Sequence, residues 1–235
     1  MIEENAEVHA SKLHVSMQQL KLENELLQGR IALIMSLIQP HFLFNALPAI
    51  KELCKTDHGM AEETIVEFAE YLRGNMDSLM IIEPIPFEKE LRHVKNYLAI
   101  EKKRFGEKLR IKYDIAVKDF KLPTLTLGSV VENAVRYSIC KKDSGGTLKI
   151  KTEWLDNFAK DYVVITVTDD GEVFDEQISR KRIDHIHKRL EVMCGGTLSV
   201  TSNPGMGNVV VMIIPIISIV DGKALNKAKG EYIKP

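Results

Sequence analysis

The stretch Gln39–Asn45 reads Gln-Pro-His-Phe-Leu-Phe-Asn, and the rest of the chain is organised around it. Apolar residues at helical spacing surround it, which predicts a helix that continues through the proline. A proline inside a helix removes a backbone hydrogen bond and crowds the carbonyl one turn earlier, so we expect a kink just ahead of His41. The kink would expose an imidazole, which is nucleophilic and largely neutral near pH 7, with Asn45 one turn further on the same face. The pattern also fits a core histidine in a bent helix.

Upstream of this stretch, apolar residues repeat every seven positions in two series, the second three residues ahead of the first. Such a two-position seam is typical of a coiled coil. Asn24 falls on the seam, where a single polar residue tends to fix the register and favour a dimer. The spacing also fits an amphipathic helix that packs on its own domain. The seam consists of Leu13, Met17, Leu20, Asn24, Leu27, Ile31, Ile34 and Ile38.

The periodicity changes after Gly106, from helical spacing to strand-like alternation mixed with shorter helical runs. This pattern predicts an α+β fold, in which a helical first half precedes a sandwich of one sheet with helices on one face. The tail after Ser218 is polar and has no evident pattern. One predicted helix begins at about 61 and ends before the break at 83–86, and the other predicted helices lie at 87–105, 125–139 and 179–193. The predicted strands lie at 109–115, 147–154, 162–168, 197–201 and 208–214.

The composition excludes several classes of protein. Lys+Arg 32 against Asp+Glu 33 leaves no net positive charge with which to bind nucleic acid. The three cysteines have no metal-ligand spacing, which indicates a reducing compartment. The longest apolar run, 209–220, contains a proline and is shorter than the roughly 20 residues that cross a bilayer. We therefore expect a cytoplasmic polypeptide, or the soluble portion of a membrane-anchored protein.

Two further motifs in the second half can carry chemistry. Glu132 and Asn133 are adjacent on a predicted helix, where a carboxylate can act as a general base and an amide oxygen can ligate Mg²⁺. Arg136 follows one turn later. Asp169 ends a predicted strand and can accept a hydrogen bond from the amino group of a base, while Gly171 allows a ring to approach the backbone. Each motif also fits an ordinary solvated helix face or strand-end turn.

Taken together and in order, these motifs resemble the catalytic core of the LytS/YehU-type sensor histidine kinases. The resemblance covers about 31–215, and its most specific part is Pro-His-Phe-Leu-Phe-Asn. It implies a coiled-coil signalling helix at 1–30, a helical dimerisation and histidine phosphotransfer domain at 31–105, a Bergerat-type ATP-binding domain at 106–216 and a tail at 217–235. The matching segments are 40–45, Glu-Lys-Lys-Arg-Phe at 101–105, 123–134, 169–171, Arg189-Leu190 and 205–215.

The resemblance also implies a role for each candidate residue, in a homodimeric kinase that uses ATP and Mg²⁺. His41 would accept the γ-phosphoryl group and pass it to the receiver domain of a response regulator, and Asn45 would help to orient the ring. A sensor or membrane partner upstream would supply the input. The remaining roles are Glu132 as acid/base group, Asn133 as Mg²⁺ ligand, Arg136 as phosphate contact, Asp169 and Gly171 around adenine, and Gly205 and Gly207 in the nucleotide-binding turn.

Several positions depart from the family pattern. Val173 replaces the second glycine of the adenine-binding turn, and Arg180 and Arg182 replace the two glycines of the lid. Arginine does not adopt positive-φ conformations cheaply, so a backbone cradle for the phosphates is in doubt. His185 and Asn208 stand where the family has asparagine and threonine.

Three functions therefore stay open at the level of the sequence. The first is an active histidine kinase, with an activity that the missing lid glycines weaken. The second is a degenerate kinase that serves as a dimeric scaffold or as a phosphoacceptor without binding ATP productively. The third is an ATPase of the same superfamily, which would leave the histidine motif unexplained.

Overall fold

A computed structural model describes residues 17–21, 24, 40–81, 83–156, 161–173, 176–220, 223–226 and 231–232. Within these ranges, no helix is both long enough and apolar enough to cross a membrane. The chain divides into two compact units, Met1–Leu47 and Pro48–Pro235. Most of the predicted coiled-coil seam lies outside the described residues, but 17–21 and 24 are helical, and Met17 and Leu20 are exposed.

Helix α1, Pro40–Thr56, carries the histidine motif. The predicted kink at Pro40 concerns residues on both sides of it, and those before it lie outside the described residues. A second proline, Pro48, lies inside the helix, where it removes one backbone hydrogen bond and disfavours a straight axis. Phe42, Ala46 and Ile50 are buried at four-residue spacing, which is the period of one helix face.

Helices α2, His58–Met80, and α3, Phe87–Phe105, pack together in the second unit. They run antiparallel, because the residue pairs that join them go in opposite directions along the two helices: Lys103 Nζ contacts Glu63 and Glu67, whereas Asn96 Nδ2 donates to Glu70. Asp57 caps α2 by accepting from the Met60 N–H at 2.9 Å, a frequent role for aspartate. The helical first half of the second unit therefore agrees with the sequence prediction.

A five-stranded mixed sheet forms the rest of the core, and its strands in spatial order are β2 (Leu109–Ile115), β4 (Gly146–Trp154), β5 (Tyr162–Asp169), β7 (Gly207–Pro215) and β6 (Thr197–Asn203). The outer pair β2–β4 is parallel and the other pairs are antiparallel. Helices cover one face of the sheet. Alternate residues such as Ile150, Ile165 and Met212 point to that face and are buried, whereas the residues next to them in each strand are less buried. The covering helices are α3, α4 (Thr126–Tyr137) and α5 (Glu176–Cys194).

Two small sheets were not expected from the sequence. Strand β1, Ile85–Pro86, pairs with β3, Lys121–Leu122, and so joins the segment before α3 to the segment before α4. The tail, for which no strand was predicted, forms three short antiparallel strands. They are β8 Ile217–Val220, β9 Lys223–Asn226 and β10 Glu231–Tyr232.

Candidate functional site

Asp169 is the last residue of β5, and the alternation of that strand directs its side chain to the helix-covered face of the sheet. The side chain is buried, at 6% exposure. Its register partner on β7 is Asn208, which is 1% exposed. The same alternation that buries Val210 and Met212 on β7 therefore places an amide opposite the Asp169 carboxylate.

Three donors converge on one oxygen of this carboxylate. Asp169 Oδ1 accepts from the Ser138 hydroxyl, from the Gly171 N–H at 3.1 Å and from Asn208 Nδ2 at 2.9 Å. Burial raises the pKa of the Asp169 carboxyl above its usual value, and these hydrogen bonds oppose that rise. Among the described residues, Oδ2 receives none of the three donors, so it is the oxygen that can accept from a ligand.

The amide of Asn208 connects several parts of the chain. Its Nδ2 lies 2.8 Å from the carbonyl oxygen of Glu172 as well as close to Asp169, and its Oδ1 accepts from the Ser202 hydroxyl at 2.7 Å. It therefore joins β6, the end of β5 and the turn after β5. Buried amides with both ends bonded are held in one orientation, so the carboxylate that Asn208 contacts is fixed as well.

The glycines around Asp169 are required by the fold itself. A Cβ on Gly171 would lie 2.6 Å from the backbone nitrogen of Ile139, and one on Gly207 would lie 2.7 Å from Asp170 Cα. Gly205 and Gly207 have φ of 78° and 88° in the turn between β6 and β7. The structure thus brings Asp169, Gly171 and Gly207 together.

Glu132 and Asn133 lie on α4, but Glu132 belongs to a second cluster that is separate from Asp169. Its Oε1 accepts from the Tyr71 hydroxyl of α2 at 2.8 Å. Burial raises the pKa of Glu132 to about 7, and the hydrogen bond from Tyr71 opposes the rise. Asn133 is half-buried, and Arg136 stacks its guanidinium 5.0 Å from the centre of the Tyr137 ring.

The start of α4 is held by a residue from another helix. Leu125, in the capping position, has a left-handed φ of 56° and no side-chain hydrogen bond to offer. Instead Glu90 of α3, 1% exposed, accepts from the N–H groups of Leu125 at 3.0 Å and Gly128 at 3.1 Å. A carboxylate there satisfies donors that a helix start leaves unpaired. Burial raises the pKa of Glu90, and the N–H groups and the positive charge of Arg189 on α5 oppose that rise.

The residues of the histidine motif lie in the other compact unit. His41 is in α1, but its side chain falls outside the described residues. Asn45 is half-buried and four residues further along the helix, which places both residues on one face.

The lid positions are helical. Arg180 and Arg182 lie inside α5, which begins at Glu176, so their backbone does not need the positive φ that glycine would supply. Their side chains fall outside the described residues, as do 174 and 175. Val173, in place of the second glycine, is 38% exposed.

Sequence reasoning missed four residues that the structure places in these clusters: Ser138, Asn208, Tyr71 and Glu90. Asn208 had been noted only as a departure from the family. The sequence does contain a signal for two of the four. Asn208 and Glu90 are polar residues at positions that the apolar periodicity assigns to the core. Ser138 and Tyr71 have no such signal, since their partners are distant in sequence.

The Asp169 carboxylate fits a nucleobase that carries an amino group. Oδ2 of this carboxylate, which receives none of the three donors on Oδ1, suits an exocyclic amino group, which donates and carries no charge. Among the described residues, no group of three or more histidine, cysteine or acidic side chains could hold a metal ion. The amide oxygen of Asn133 is a ligand type that Mg²⁺ accepts, and it would hold the ion together with the phosphates of a nucleotide.

The chain matches a family of histidine kinases and several curated sensor proteins. The family described as histidine kinase matches residues 30–109. The protein YwpD of Bacillus subtilis (strain 168) is 34% identical over 205 residues, which are 81% of this chain and 72% of that protein. The sensor protein LytS of Bacillus cereus is 32% identical over 191 residues, which are 80% of this chain and 29% of LytS. The sensor histidine kinase YpdA of Escherichia coli (strain K12) is 34% identical over 152 residues, 64% of this chain and 26% of YpdA.

Solved structures of histidine kinases also overlap with the chain. AdeS of Acinetobacter baumannii covers 84% of this chain and 97% of its own, with 21% identity and a TM-score of 0.44. The catalytic domain of ThkA covers 57% of this chain and 95% of its own, with 18% identity and a TM-score of 0.43. The chain thus spans most of YwpD but less than a third of the length of LytS and YpdA.

Proposed function

Because the chain belongs to the histidine kinase family, as a core of the LytS type, we propose that it phosphorylates His41 with ATP and Mg²⁺ and then passes the phosphoryl group to an aspartate of a response regulator. The proposal places this chemistry in the cytoplasm, where ATP is available. It assigns His41 as the acceptor, with Asn45 orienting the ring.

The observation that carries the proposal is the Asp169 carboxylate. Its Oδ1 is occupied by three donors, and its Oδ2 faces none of them. The amino group of adenine would donate to Oδ2, and a base with a carbonyl at that position would be rejected because two acceptors would then face each other. Gly171, Gly205 and Gly207 would shape the walls around the nucleotide.

In the proposed transfer, a ring nitrogen of His41 attacks the γ-phosphorus of ATP. The bond from that phosphorus to the bridging oxygen breaks, and ADP leaves with the electron pair. Mg²⁺, held by Asn133 and the phosphates, would offset the charge of the moving group, with Arg136 as a further phosphate contact. Glu132 would take the proton that the ring nitrogen loses, for which a pKa of about 7 is well suited.

Exposed apolar side chains support the homodimer. Ile65 and Met76 of α2 are 48% and 61% exposed and lie eleven residues apart, three helical turns, so they share a face. Phe44 of α1 is 75% exposed. Met17 and Leu20, on the predicted coiled-coil seam, are exposed as well. Large apolar residues in such stripes are typical of surfaces that another subunit covers.

A second candidate function is supported by the helical lid positions. If α5 replaces the flexible glycine segment, the phosphates lose a backbone cradle, and the chain would act as a dimeric scaffold or as a phosphoacceptor that another kinase charges. We favour the active enzyme, with a rate weakened by this helix, because Asp169, Gly171 and Gly207 lie together in the structure.

The test is incubation of the purified chain with γ-labelled ATP and Mg²⁺. We expect an acid-labile, base-stable phosphoprotein that His41→Ala abolishes and that His58→Ala, an exposed histidine on α2, leaves intact. The paired substitution Arg180→Gly and Arg182→Gly should increase the rate of labelling. Absence of label together with absence of ATP binding in calorimetry would refute the kinase and favour the scaffold.

A further inference from the structure

A cavity of about 320 Å³ lies between α2 and the first half of α3. Its volume is within the range of sites that hold small molecules, roughly 300–1,000 Å³. Side chains of α2 form one wall and side chains of α3 form the other, while Ile81 and Ile85, from the segment between the two helices, contribute apolar surface. None of the described residues that line the cavity hydrogen-bonds to Asp169, so the cavity is separate from the cluster around that carboxylate.

Three cationic side chains line this cavity, Arg73 from α2 and Lys89 and Arg92 from α3. Within the part of the chain that the structure describes, none of the three forms an ion pair. Lys103, further along α3, is by contrast paired with a glutamate of α2 at 2.8 Å. Positive charges that converge on a concave surface raise the local concentration of anions. Both walls of the cavity therefore offer cations to a ligand.

The acidic side chains of the cavity do not neutralise these cations. Glu70 accepts a hydrogen bond from Asn96 Nδ2 at 2.9 Å, and both oxygens of Glu90 accept from backbone N–H groups at the start of α4. Among the described residues that line the cavity, Asp77 is the one carboxylate without such a partner. Three cations and one unengaged carboxylate leave an excess of positive charge, which a negative group on a ligand would balance.

His93 gives the cavity a fixed and uncharged surface beside the cations. Its ring stacks on that of Tyr71, with centroids 5.0 Å apart and an angle of 14° between the planes. Gly74, which also lines the cavity, leaves room for the imidazole, since a Cβ there would lie 2.5 Å from Nδ1. Burial lowers the pKa of His93 to about 4, so the ring is neutral at pH 7. This surface and the two isoleucines suit the uncharged part of a ligand.

We propose that this cavity binds a small organic anion, a carboxylate or a phosphate monoester that carries a short apolar chain. The charged group meets Arg73, Lys89 and Arg92, and the chain lies against Ile81 and Ile85. The inference does not depend on the kinase function, because the cavity is separate from the cluster around the Asp169 carboxylate. Since the ligand contacts cations of both helices, it binds only the folded chain and stabilises it.

The probes for the test are hexanoate and hexyl phosphate, which present the two charged groups on the same apolar chain, and hexanol is the uncharged control. At constant ionic strength, we expect at least one of the two anions to raise the Tm of the chain in proportion to the logarithm of its concentration. Hexanol should leave the Tm unchanged. The anion that gives the larger rise identifies the charged group that the cavity prefers. Calorimetry measures its Kd, which saturating ADP should not alter.

Two double variants locate the binding. Arg73→Gln combined with Arg92→Gln should weaken the affinity for the anion about tenfold or more, because charge-assisted hydrogen bonds are lost. Both residues are exposed, so the variant should fold like the wild-type chain. Lys112→Gln combined with Lys118→Gln is the matched control, which removes the same charge at exposed residues of β2 and of the segment after it and should leave the Kd unchanged.

The absence of a Tm rise with both anions would overturn the proposal. An equal rise with hexanol would do the same, since it indicates apolar contact alone. Displacement by ADP would place the probe in the nucleotide cluster, and equal weakening in the two double variants would indicate non-specific attraction to a charged surface, so either result refutes the site. Failure of the kinase function gives a different result, a chain that takes no label on His41 but still binds the anion.

Discussion

The family resemblance predicts a threonine at position 208, and the longer side chain of Asn208 reaches two acceptors at once, Asp169 Oδ1 and the Glu172 carbonyl. The substitution therefore preserves a donor to the carboxylate and adds a connection to the turn after β5. The asparagine at position 208 therefore does not disrupt the cluster, because both ends of its buried amide are hydrogen-bonded. Loss of one partner in such a network costs about 1–3 kcal/mol.

Replacing Asn208 by aspartate should make stability depend strongly on pH. Two carboxyl groups within about 3 Å do not both ionise readily, so one keeps its proton in the folded protein at a pH where the unfolded chain has lost it. A carboxyl group whose pKa is raised in the folded protein stabilises the folded state at low pH. This contribution is lost as the pH rises through the pKa of the folded state, at up to about 1.4 kcal/mol per pH unit. We expect the Tm of Asn208→Asp, relative to wild type, to fall from pH 4.5 to pH 7.5.

Asn208→Thr is the control for this experiment, because threonine supplies a donor without a charge. Its Tm should run parallel to that of the wild-type protein over the same pH range. Parallel curves for Asn208→Asp as well would show that the two side chains do not contact each other.

Helix α4 shows how one element depends on another. Its first N–H groups are satisfied by Glu90, which comes from α3 and is 35 residues from Leu125. Because the left-handed Leu125 has no polar side chain, the helix start depends on tertiary packing and not on its own cap. The orientation of α4, and with it of Asn133, is thus set by α3.

Replacing Glu90 by glutamine should destabilise the second unit. The glutamine amide keeps one acceptor but turns a donor toward an N–H group, and the charge beside Arg189 is lost. We expect a loss of about 1–3 kcal/mol in the free energy of unfolding measured with urea. The matched control is Glu88→Gln in the first turn of the same helix, which is exposed and should change stability by less than about 0.5 kcal/mol. Equal effects of the two variants would contradict the capping role.

The elements that the sequence predicted best are those with a clean period. Helix Phe87–Phe105 and strand Leu109–Ile115 have the expected bounds, because the apolar spacing and the Gly106 between them mark the change of structure. The parallel pairing of β2 with β4 was not predictable, since register between distant strands depends on the whole fold. Helix α5 was predicted at 179–193 and begins three residues earlier, at Glu176, so that Arg180 and Arg182 are helical as the apolar spacing indicated.

The residues of the candidate site were likewise predicted only in part from the sequence. Asp169, Gly171 and Gly207, named from the sequence, do come together in the structure. Their supports Ser138 and Asn208 are brought in by contacts over 31 and 39 residues, which local spacing does not encode. Glu132 lies next to Asn133 in the chain, yet its hydrogen bond is to Tyr71 of α2, on the side of α4 that faces the helices.

For the whole molecule, the apolar stripe of α2 leads to a prediction about assembly. Ile65→Glu combined with Met76→Glu should weaken the homodimer roughly tenfold or more, because each change would bury an unpaired charge in the subunit contact. Light scattering after size exclusion measures the mass as a function of concentration. Val192→Glu is the control, at a still more exposed apolar residue on α5. A double variant that dimerises like wild type would place the subunit contact elsewhere.

The hydrogen bond between Ser138 and Asn208 spans 70 residues, and this separation sets an order of events on the ribosome. At a typical elongation rate of about 5–20 residues per second, several seconds pass between the emergence of the first partner and that of the second. A nascent chain that stops short of β7 therefore has the carboxylate of Asp169 without the amide that fixes it. The nucleotide of the proposed function would then stabilise only chains that already include β7, and shorter ones would be left to chaperones and proteases.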